Sequence, residues 1–449
     1  MASLDTDTIA AIATPPGQGG IGIVRLSGPD AQAIAESLTN HSFKPRSADF
    51  VSVKAAGELV DEGIGIFFAG PNSFTGEDVV ELQLHGSPVV LQQVLDLCRE
   101  AGARLARPGE YTERAFLNDK IDLAQAEAVA DLIASASQGA ARAAVRSLAG
   151  EFSNAVHGLA DRIEHMRMLI EATIDFPEEE EDFLAQYSVP STLNEIVTDL
   201  AMLMAQTNQG RVINEGISVA LIGAPNAGKS SLLNRLSGEE AAIVTDIPGT
   251  TRDLLKVDLV LGDLAVRLVD TAGLRETADV VEQEGVQRAQ KEAQEADLVL
   301  CLIDATNSDW QGELARLVKM AGFAEVPTNI IPVVNKIDLL TKIETEPDST
   351  WLLISAKTGS GIEALIDAVT KKVGVTDQET EFTARQRHVE ALSSAAAHLD
   401  NAEACLATAG LELLAEELRL AHDALGEIVG KTSADDLLGR IFGEFCIGK

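Results

Sequence analysis

Residues Gly223-Ala-Pro-Asn-Ala-Gly-Lys-Ser230 read G-x-x-x-x-G-K-S, and no other stretch restricts the fold of this chain as tightly. The pattern works only as a loop joining a strand to a helix. Its backbone N–H groups then wrap a chain of phosphates, and the helix N-terminus adds the positive end of its dipole. Apolar Val219-Ala-Leu-Ile222 precedes the loop, and Ser231-Leu-Leu-Asn-Arg-Leu236 follows it with helical character. Asn226, Ala227, Gly228, Lys229, Ser230 and Ser231 form the expected phosphate-binding run. Lys229 is expected to reach the β- and γ-phosphates, and the Ser230 hydroxyl to ligate Mg²⁺.

Companion motifs select the base. Asp270, Thr271, Ala272 and Gly273 follow strand-like Val266-Arg-Leu-Val269 and read D-x-x-G, whose Asp supports Mg²⁺ through water and whose Gly N–H senses the γ-phosphate. Asn335, Lys336, Ile337 and Asp338 follow Ile330-Ile-Pro-Val-Val334 and read N-K-x-D. A carboxylate there accepts two hydrogen bonds from guanine. Adenine lacks that donor pair, and an unpaired acceptor is costly, so discrimination is steep. Ser355, Ala356 and Lys357, after Leu352-Leu-Ile354, fit the loop that closes over guanine O6. These motifs, in order, predict a GTP-binding domain.

The chain has 449 residues, which suggests about three domains. Hydrophobic residues make up 46%, and no apolar run is long enough to span a bilayer, so no membrane association is expected. No charged-then-apolar leader is legible at the start. Cys98, Cys301, Cys405 and Cys446 are scattered, which argues against a disulfide framework or a zinc site and fits a reducing cytoplasm. The net charge is −35, the wrong sign for gripping nucleic acid by bulk electrostatics. The run Pro177-Glu-Glu-Glu-Glu-Asp-Phe183 reads as a solvated turn.

The order of the elements divides the chain into four segments. Residues 1–118 read as mixed strands and helices, with strand candidates at 8–14, 21–26, 63–68 and 79–84 and a helix opened by Ser87-Pro88. Gly17-Gln-Gly-Gly-Ile-Gly22 satisfies G-x-G-x-x-G but runs into strand-like Ile23-Val-Arg-Leu26. A dinucleotide fingerprint must open a helix, so this is read as a turn between strands. Residues 119–213 are helical: Val145, Leu148, Phe152, Val156, Leu159, Ile163, Met166 and Ile170 recur at spacings of three and four. Residues 214–376 carry the GTP motifs, with strands alternating with helices as a parallel sheet requires. Residues 377–449 are again helical. Composition alone leaves open whether the two helical flanks form one bundle or two domains.

At this point the chain resembles the MnmE (TrmE) family of tRNA-modification GTPases over nearly its whole length. The resemblance is carried by Ala13-Thr-Pro-Pro-Gly17, Pro71-Asn-Ser-Phe-Thr-Gly-Glu-Asp78, Pro108-Gly-Glu110, Arg114-Ala-Phe-Leu-Asn-Asp-Lys120, Asp122-Leu-Ala-Gln-Ala-Glu127, Asp246-Ile-Pro-Gly-Thr-Thr-Arg-Asp253 and Phe445-Cys-Ile-Gly-Lys449. The last is the most specific. The resemblance implies an N-terminal α/β domain that binds tetrahydrofolate and dimerises, one helical domain made from both flanks, and an inserted Ras-like G domain. It also implies a reaction. With an FAD-containing, NADH-using partner of the MnmG (GidA) type, the family adds an aminomethyl or carboxymethylaminomethyl group to C5 of the tRNA wobble uridine. A 5-formyl- or 5,10-methylene-tetrahydrofolate supplies the carbon, and glycine or ammonium the amine.

The resemblance also assigns residues. Leu274 stands where Ras-like enzymes carry a water-orienting Gln, and no arginine finger is legible. By resemblance K⁺ replaces the arginine charge, held by the Asn226 side chain and by carbonyls of Thr245, Ile247 and Thr250. The K⁺ site is expected to form best when two G domains meet face to face. Thr245, Asp246, Ile247, Pro248, Gly249, Thr250 and Thr251 form the switch stretch, with Thr251 a second Mg²⁺ ligand. Glu282 is the water-orienting carboxylate, acting through a bridging water. Arg25, Glu81, Lys120 and Lys449 line the folate pocket, and Cys446 is a candidate acid, base or nucleophile in one-carbon transfer. The competing function is a regulatory GTPase switch in ribosome assembly or stress response. Such a switch would usually carry a basic RNA-binding domain, and none is visible in this acidic chain.

Overall fold

Alternation of apolar residues along the early strands decides which side chains face a core and which face outward. The computed structural model describes residues 7–175, 188–239, 256–262, 264–270, 280–340, 351–374, 382–407, 410–431, 435–443 and 445–448. The chain divides into two units. One comprises residues 1–130, 153–190 and 397–449; the other comprises 131–152 and 191–396.

The first unit is built on a six-stranded sheet: β1 (Ile9–Ile12), β2 (Gly19–Ser27), β3 (Ala48–Ala55), β4 (Glu58–Phe68), β5 (Val79–Gly86) and β6 (Arg104–Leu105), in the order β3-β4-β5-β2-β1-β6. Only the β1–β6 pair is parallel. Helices α1 (Ala31–Thr39) and α2 (Pro88–Glu100) cover one face. Val24, Leu26, Val80, Leu82 and Leu84 meet Ile34, Leu38, Leu91, Val94 and Leu95 there. A strand repeats every two residues, so Arg25 and Glu81 point to the opposite face. On that face Tyr111 of α3 (Glu110–Leu117) packs with Ile9, Ala11 and Ala106.

All four strand candidates are strands, and α2 opens at Ser87-Pro88 as expected, although the Ser87 side chain makes no capping bond. Strands β3 and β6 were not expected. The glycine run does not open a helix: Gly19, Gly20 and Gly22 lie within β2 itself. A Cβ on Gly22 would come within 2.3 Å of Leu91, so the glycine lets α2 approach the sheet.

An ion-pair network fastens α3 to this sheet. Glu110 is 1% exposed and accepts from Arg104 (2.7 Å), from Arg114 (3.2 Å) and from the Arg107 N–H (2.7 Å). Arg114 also reaches Asp7 at 2.7 Å and Glu77 at 3.1 Å. Burial pushes the Glu110 carboxyl up. The Arg104 and Arg107 hydrogen bonds and the Arg104 and Arg114 charges outweigh it and bring the carboxyl down to about 2. Asp7 is also brought down to about 2, chiefly by the Arg104 hydrogen bond.

The helical stretch after residue 118 is not continuous. It comprises α4 (Leu123–Ala134), α5 (Gln138–Leu148), α6 (Glu151–Asp175) and α7 (Val189–Glu215), and the acidic run at 177–183 lies outside the described residues. From Phe152 onward the expected stripe is buried: Val156, Leu159, Ile163, Met166 and Ile170 are all in the core. Val145 is 51% exposed, contrary to its place in the stripe. The helix breaks at Ala149-Gly150, Gly150 takes a φ of 93°, and the break resets the phase. Helix α12 (Gln386–Ala407) is followed by α13 (Leu411–Val429) and α14 (Asp435–Gly443), the last two in the first unit. Ile441 and Phe442 of α14, together with Phe445, pack on Leu123 and Ala126.

The second unit holds a doubly wound sheet: β7 (Ile217–Gly223), β8 (Lys256–Leu261), β9 (Leu264–Asp270), β10 (Leu298–Asp304), β11 (Ile330–Asn335) and β12 (Leu352–Leu353). The order is β12-β11-β10-β7-β9-β8, and every pair is parallel except β8–β9. Val219 and Leu221 face one core, with α8 (Lys229–Glu239) and α11 (Ile362–Lys372). Ala220 and Ile222 face the other, with α9 (Val280–Glu295) and α10 (Trp310–Met320). The chain enters and leaves this sheet side by side. The Asn214 amide donates to Ala384 O at 3.3 Å, and the Gln386 N–H donates to Glu215 at 3.0 Å. Phe382 stacks on Phe152 at 4.7 Å between ring centres.

The Glu110 network has a testable consequence. A carboxyl whose folded pKa lies near 2 against 4.5 in the free state contributes fully above about pH 4.5 and loses its contribution as pH falls toward about 2. Glu110→Gln should lower the opening free energy of β1 and α3 at pH 7 by about 3 kcal/mol. Hydrogen exchange of these segments checks this, and the gap from the parent should shrink steadily between about pH 4.5 and pH 2.

Candidate functional site

The phosphate loop leaves the carboxyl end of β7 and closes on the first turn of α8, where Lys229 begins the helix. Asn226 takes a left-handed φ of 67° and is exposed, and Gly228 takes a φ of 100°. A Cβ on Gly228 would lie 2.2 Å from the Asn335 side-chain nitrogen, so glycine is required for the loop and Asn335 to coexist. Asn335 is 1% exposed. Its Nδ2 donates to Ala227 O at 2.9 Å, and its Oδ1 accepts from Ala356 N at 2.9 Å. One buried amide therefore joins the phosphate loop to the loop predicted to close over the base. Lys229 Nζ donates to Gly223 O at 2.6 Å and Ala224 O at 3.3 Å, lying along the loop. Ser230 and Ser231 are exposed at the helix start.

The base corner is built on two further strand ends. Lys336, with a left-handed φ of 69°, pairs with Asp304 at the end of β10 at 2.6 Å. Burial raises the Asp304 carboxyl, but hydrogen bonds from Lys336 and Thr306 win and lower it. Residues Ile337–Leu339 make one tight turn that presents Asp338. Asp338 Oδ1 accepts from the Ser355 hydroxyl at 2.6 Å, and among the described residues nothing donates to its other oxygen. Ser355 is fully buried. Sequence reasoning missed Arg235 of α8, whose guanidinium donates to Ala356 O at 3.1 Å and Lys357 O at 2.6 Å.

The remaining expected residues are reached only in part. Asp270 is the last residue of β9, beside Leu221 of β7, and Glu282 lies in the first turn of α9. Their side chains lie outside what is described, as do Thr245, Asp246, Ile247, Pro248, Gly249, Thr250, Thr251, Thr271, Ala272, Gly273, Leu274 and Lys449. The described part of the site thus brings together residues 226–231, 335–338 and 355–357 at the carboxyl edge of the sheet, where ligands of open α/β sheets bind.

A second constellation lies on the far face of the N-terminal sheet. Arg25 and Glu81 are direct partners across β2 and β5. The Arg25 Nε donates to Glu81 Oε1 at 2.9 Å and Nη2 forms an ion pair with the same oxygen at 2.8 Å, with each side chain 16% exposed. No described residue donates to Glu81 Oε2, so a half-buried carboxylate oxygen is held in place and left open. The Tyr111 hydroxyl donates to Arg25 O at 2.7 Å, and the Arg25 guanidinium lies 5.6 Å from the centre of the Tyr111 ring.

The C-terminal tail docks at the same place. Arg25 Nη1 donates to Gly448 O at 3.3 Å, and Gly109 N donates to Cys446 O at 3.4 Å. Gly448 has a φ of 95°, and a Cβ on it would lie 2.6 Å from Ile12 O, so the tail fits only with glycine there. Cys446 is exposed. Lys120 Nζ donates to Pro71 O at 2.9 Å, in the loop between β4 and β5. That loop is tied through Thr75 to Ser27 at 2.7 Å, two residues along β2 from Arg25 and on the same face. The structure therefore assembles Arg25, Glu81 and the tail, with Lys120 fastened to the adjoining loop. Among the described residues no helix is long and apolar enough to cross a membrane.

Comparison with known proteins shows the family. The family described as GTP-binding protein TrmE N-terminus matches residues 8–120, and that described as MnmE helical domain matches residues 123–446. The chain is 50% identical over 450 residues to the tRNA modification GTPase MnmE of Legionella pneumophila strain Corby, covering 99% of this chain and 100% of the relative. It is 50% identical over 451 residues to the tRNA modification GTPase MnmE of Stutzerimonas stutzeri strain A1501, covering 99% of each. The chain therefore belongs to the MnmE family of tRNA modification GTPases, with an N-terminal α/β domain, a helical domain from two chain segments and an inserted Ras-like G domain.

Proposed function

We propose that this GTPase acts with an FAD-containing flavoprotein of the MnmG (GidA) type to add an aminomethyl or carboxymethylaminomethyl group to C5 of the tRNA wobble uridine. A 5-formyl- or 5,10-methylene-tetrahydrofolate is the one-carbon donor, and the protein works as a homodimer in the cytoplasm. The observation that carries this reading is the docking of the Cys446–Gly448 tail on the Arg25–Glu81 pair. A regulatory switch in ribosome assembly or stress response leaves that docked tail without a task.

In this reading residues 1–118 bind folate and dimerise, 119–213 and 377–449 form the helical domain, and 214–376 form the G domain. The Glu81 carboxylate, with Oε2 open and Oε1 oriented by Arg25, suits the paired N–H donors of a pterin edge. Arg25 orients that carboxylate, while Lys120 and Lys449 supply positive charge for the acidic glutamate tail of the folate. Cys446 is the candidate acid, base or nucleophile beside the pocket.

The G domain follows the same logic. Gly228 and its neighbours would cradle the phosphates, and Ser230 and Thr251 would hold Mg²⁺. Asp338 would read guanine, while Asp270 and Gly273 would follow the γ-phosphate. Asn226 is exposed, and no described residue bonds its side chain, so its amide oxygen fits a monovalent cation. Asn226 with Thr245, Ile247 and Thr250 would hold K⁺, which would supply against the phosphates the positive charge that an arginine finger would otherwise bring. Glu282 orients the attacking water through a second water.

Two measurements bear on this reading. Hydrolysis should be about tenfold or more faster in K⁺ than in Na⁺ at equal ionic strength, and Asn226→Ala should erase the difference. Equal rates in both salts remove the cation assignment. Calorimetric titration with 5-formyl-tetrahydrofolate should give an affinity about 10–100-fold weaker for Glu81→Gln than for the parent. Unchanged affinity removes Glu81 from the folate site.

A further inference from the structure

Helix α8 touches both ends of the nucleotide site. Lys229, at its start, belongs to the phosphate loop. Arg235 follows six residues on, about 9 Å along the axis, and its guanidinium grips the backbone of the 355–357 loop. The two bonds are charge-assisted and lie in the fork geometry particular to arginine.

The backbone of Ser355 is held on its own turn, its N–H donating to Ser360 O at 2.8 Å and its carbonyl accepting from Gly359 N at 2.8 Å, while the carbonyls of Ala356 and Lys357 are held by Arg235. Strand β12 before it is two residues long. On the other side, Ala356 N is held by Asn335 Oδ1, and Thr358 N is held by the Ser355 hydroxyl at 3.1 Å. That same hydroxyl donates to Asp338 Oδ1 at 2.6 Å. Because peptides are planar and trans, drawing Ala356 O toward Arg235 turns the Lys357 N–H away from the helix. Arg235 thus holds the two peptides that follow Ser355, and the Ser355 hydroxyl in turn holds the carboxylate.

We propose that Arg235 is a positioning residue for base selectivity: by clamping the carbonyls of Ala356 and Lys357 it keeps Ser355, and hence Asp338, in register with the N1 and 2-amino donors of guanine. The inference rests on reading residues 335–338 and 355–357 as the guanine corner. Its signature is a loss of discrimination, and a general loss of binding would lack that signature. Inosine diphosphate lacks the 2-amino group, so it gains less from a well-held Asp338 and has less to lose.

The test is equilibrium and stopped-flow binding of GDP and inosine diphosphate to the full-length chain, for the parent, Arg235→Ala, Arg235→Lys and Asp338→Asn. Arg235→Ala should weaken GDP by about tenfold and inosine diphosphate by no more than about threefold, narrowing the ratio between them. Arg235→Lys keeps the charge but not the fork, and should fall between parent and alanine variant. If Arg235→Ala does not fold, the lysine variant carries the test through the same narrowing. Equal weakening of both nucleotides, or no weakening, overturns the inference. Asp338→Asn separates the two layers. If it leaves base preference unchanged, the guanine-corner reading itself fails. If it alters preference while the Arg235 variants do not, only the role of Arg235 fails.

Discussion

The Arg25–Glu81 ion pair is the interaction on which the N-terminal half of the account depends. It joins β2 to β5 across the centre of the sheet, on the face opposite the α1–α2 core. Three elements converge on it. Tyr111 of α3 bonds the Arg25 carbonyl, the tail accepts from Arg25 Nη1, and the adjoining strand end ties down the 70–78 loop. A pair that is mostly out of water contributes little net stability by itself, but losing one partner strands the other. Its worth lies in geometry: Arg25 uses one oxygen of Glu81, and no described residue donates to the second, which on the folate reading is the oxygen offered to the pterin.

In the G domain the corresponding device is the side-chain amide of Asn335. It carries no charge and is almost wholly buried, yet it ties together the phosphate loop and the base loop. The glycine at position 228 exists to make room for it. In the G domain one interior polar group thus aligns two loops distant in sequence. Such a group stabilises only when fully paired, which makes its surroundings intolerant of change.

How much of this was legible in the sequence follows from the kind of signal each feature leaves. The phosphate loop, Asn335–Asp338 and Ser355–Lys357 were readable because each chemical task restricts residue types at fixed spacing. The G-x-G-x-x-G at 17–22 could be rejected because the following residues alternate as a strand, and they are one. Val145 misled because helical periodicity persisted across a break at Gly150 that the apolar pattern does not mark. Arg235 and Tyr111 left no signal at all. Their partners are backbone carbonyls 121 and 86 residues away, and a carbonyl looks the same in every sequence.

On the proposed function the docked C-terminal tail serves tRNA chemistry, and GTP hydrolysis is a separate activity of the same chain. Nucleoside mass spectrometry of total tRNA tests it most directly, in a host lacking this protein and complemented either with the full chain or with residues 446–449 removed. The account predicts that the C5-modified wobble uridine returns only with the full chain, while the truncated protein still hydrolyses GTP. Full restoration by the truncated chain, or persistence of the modified uridine in the host without the protein, would contradict it.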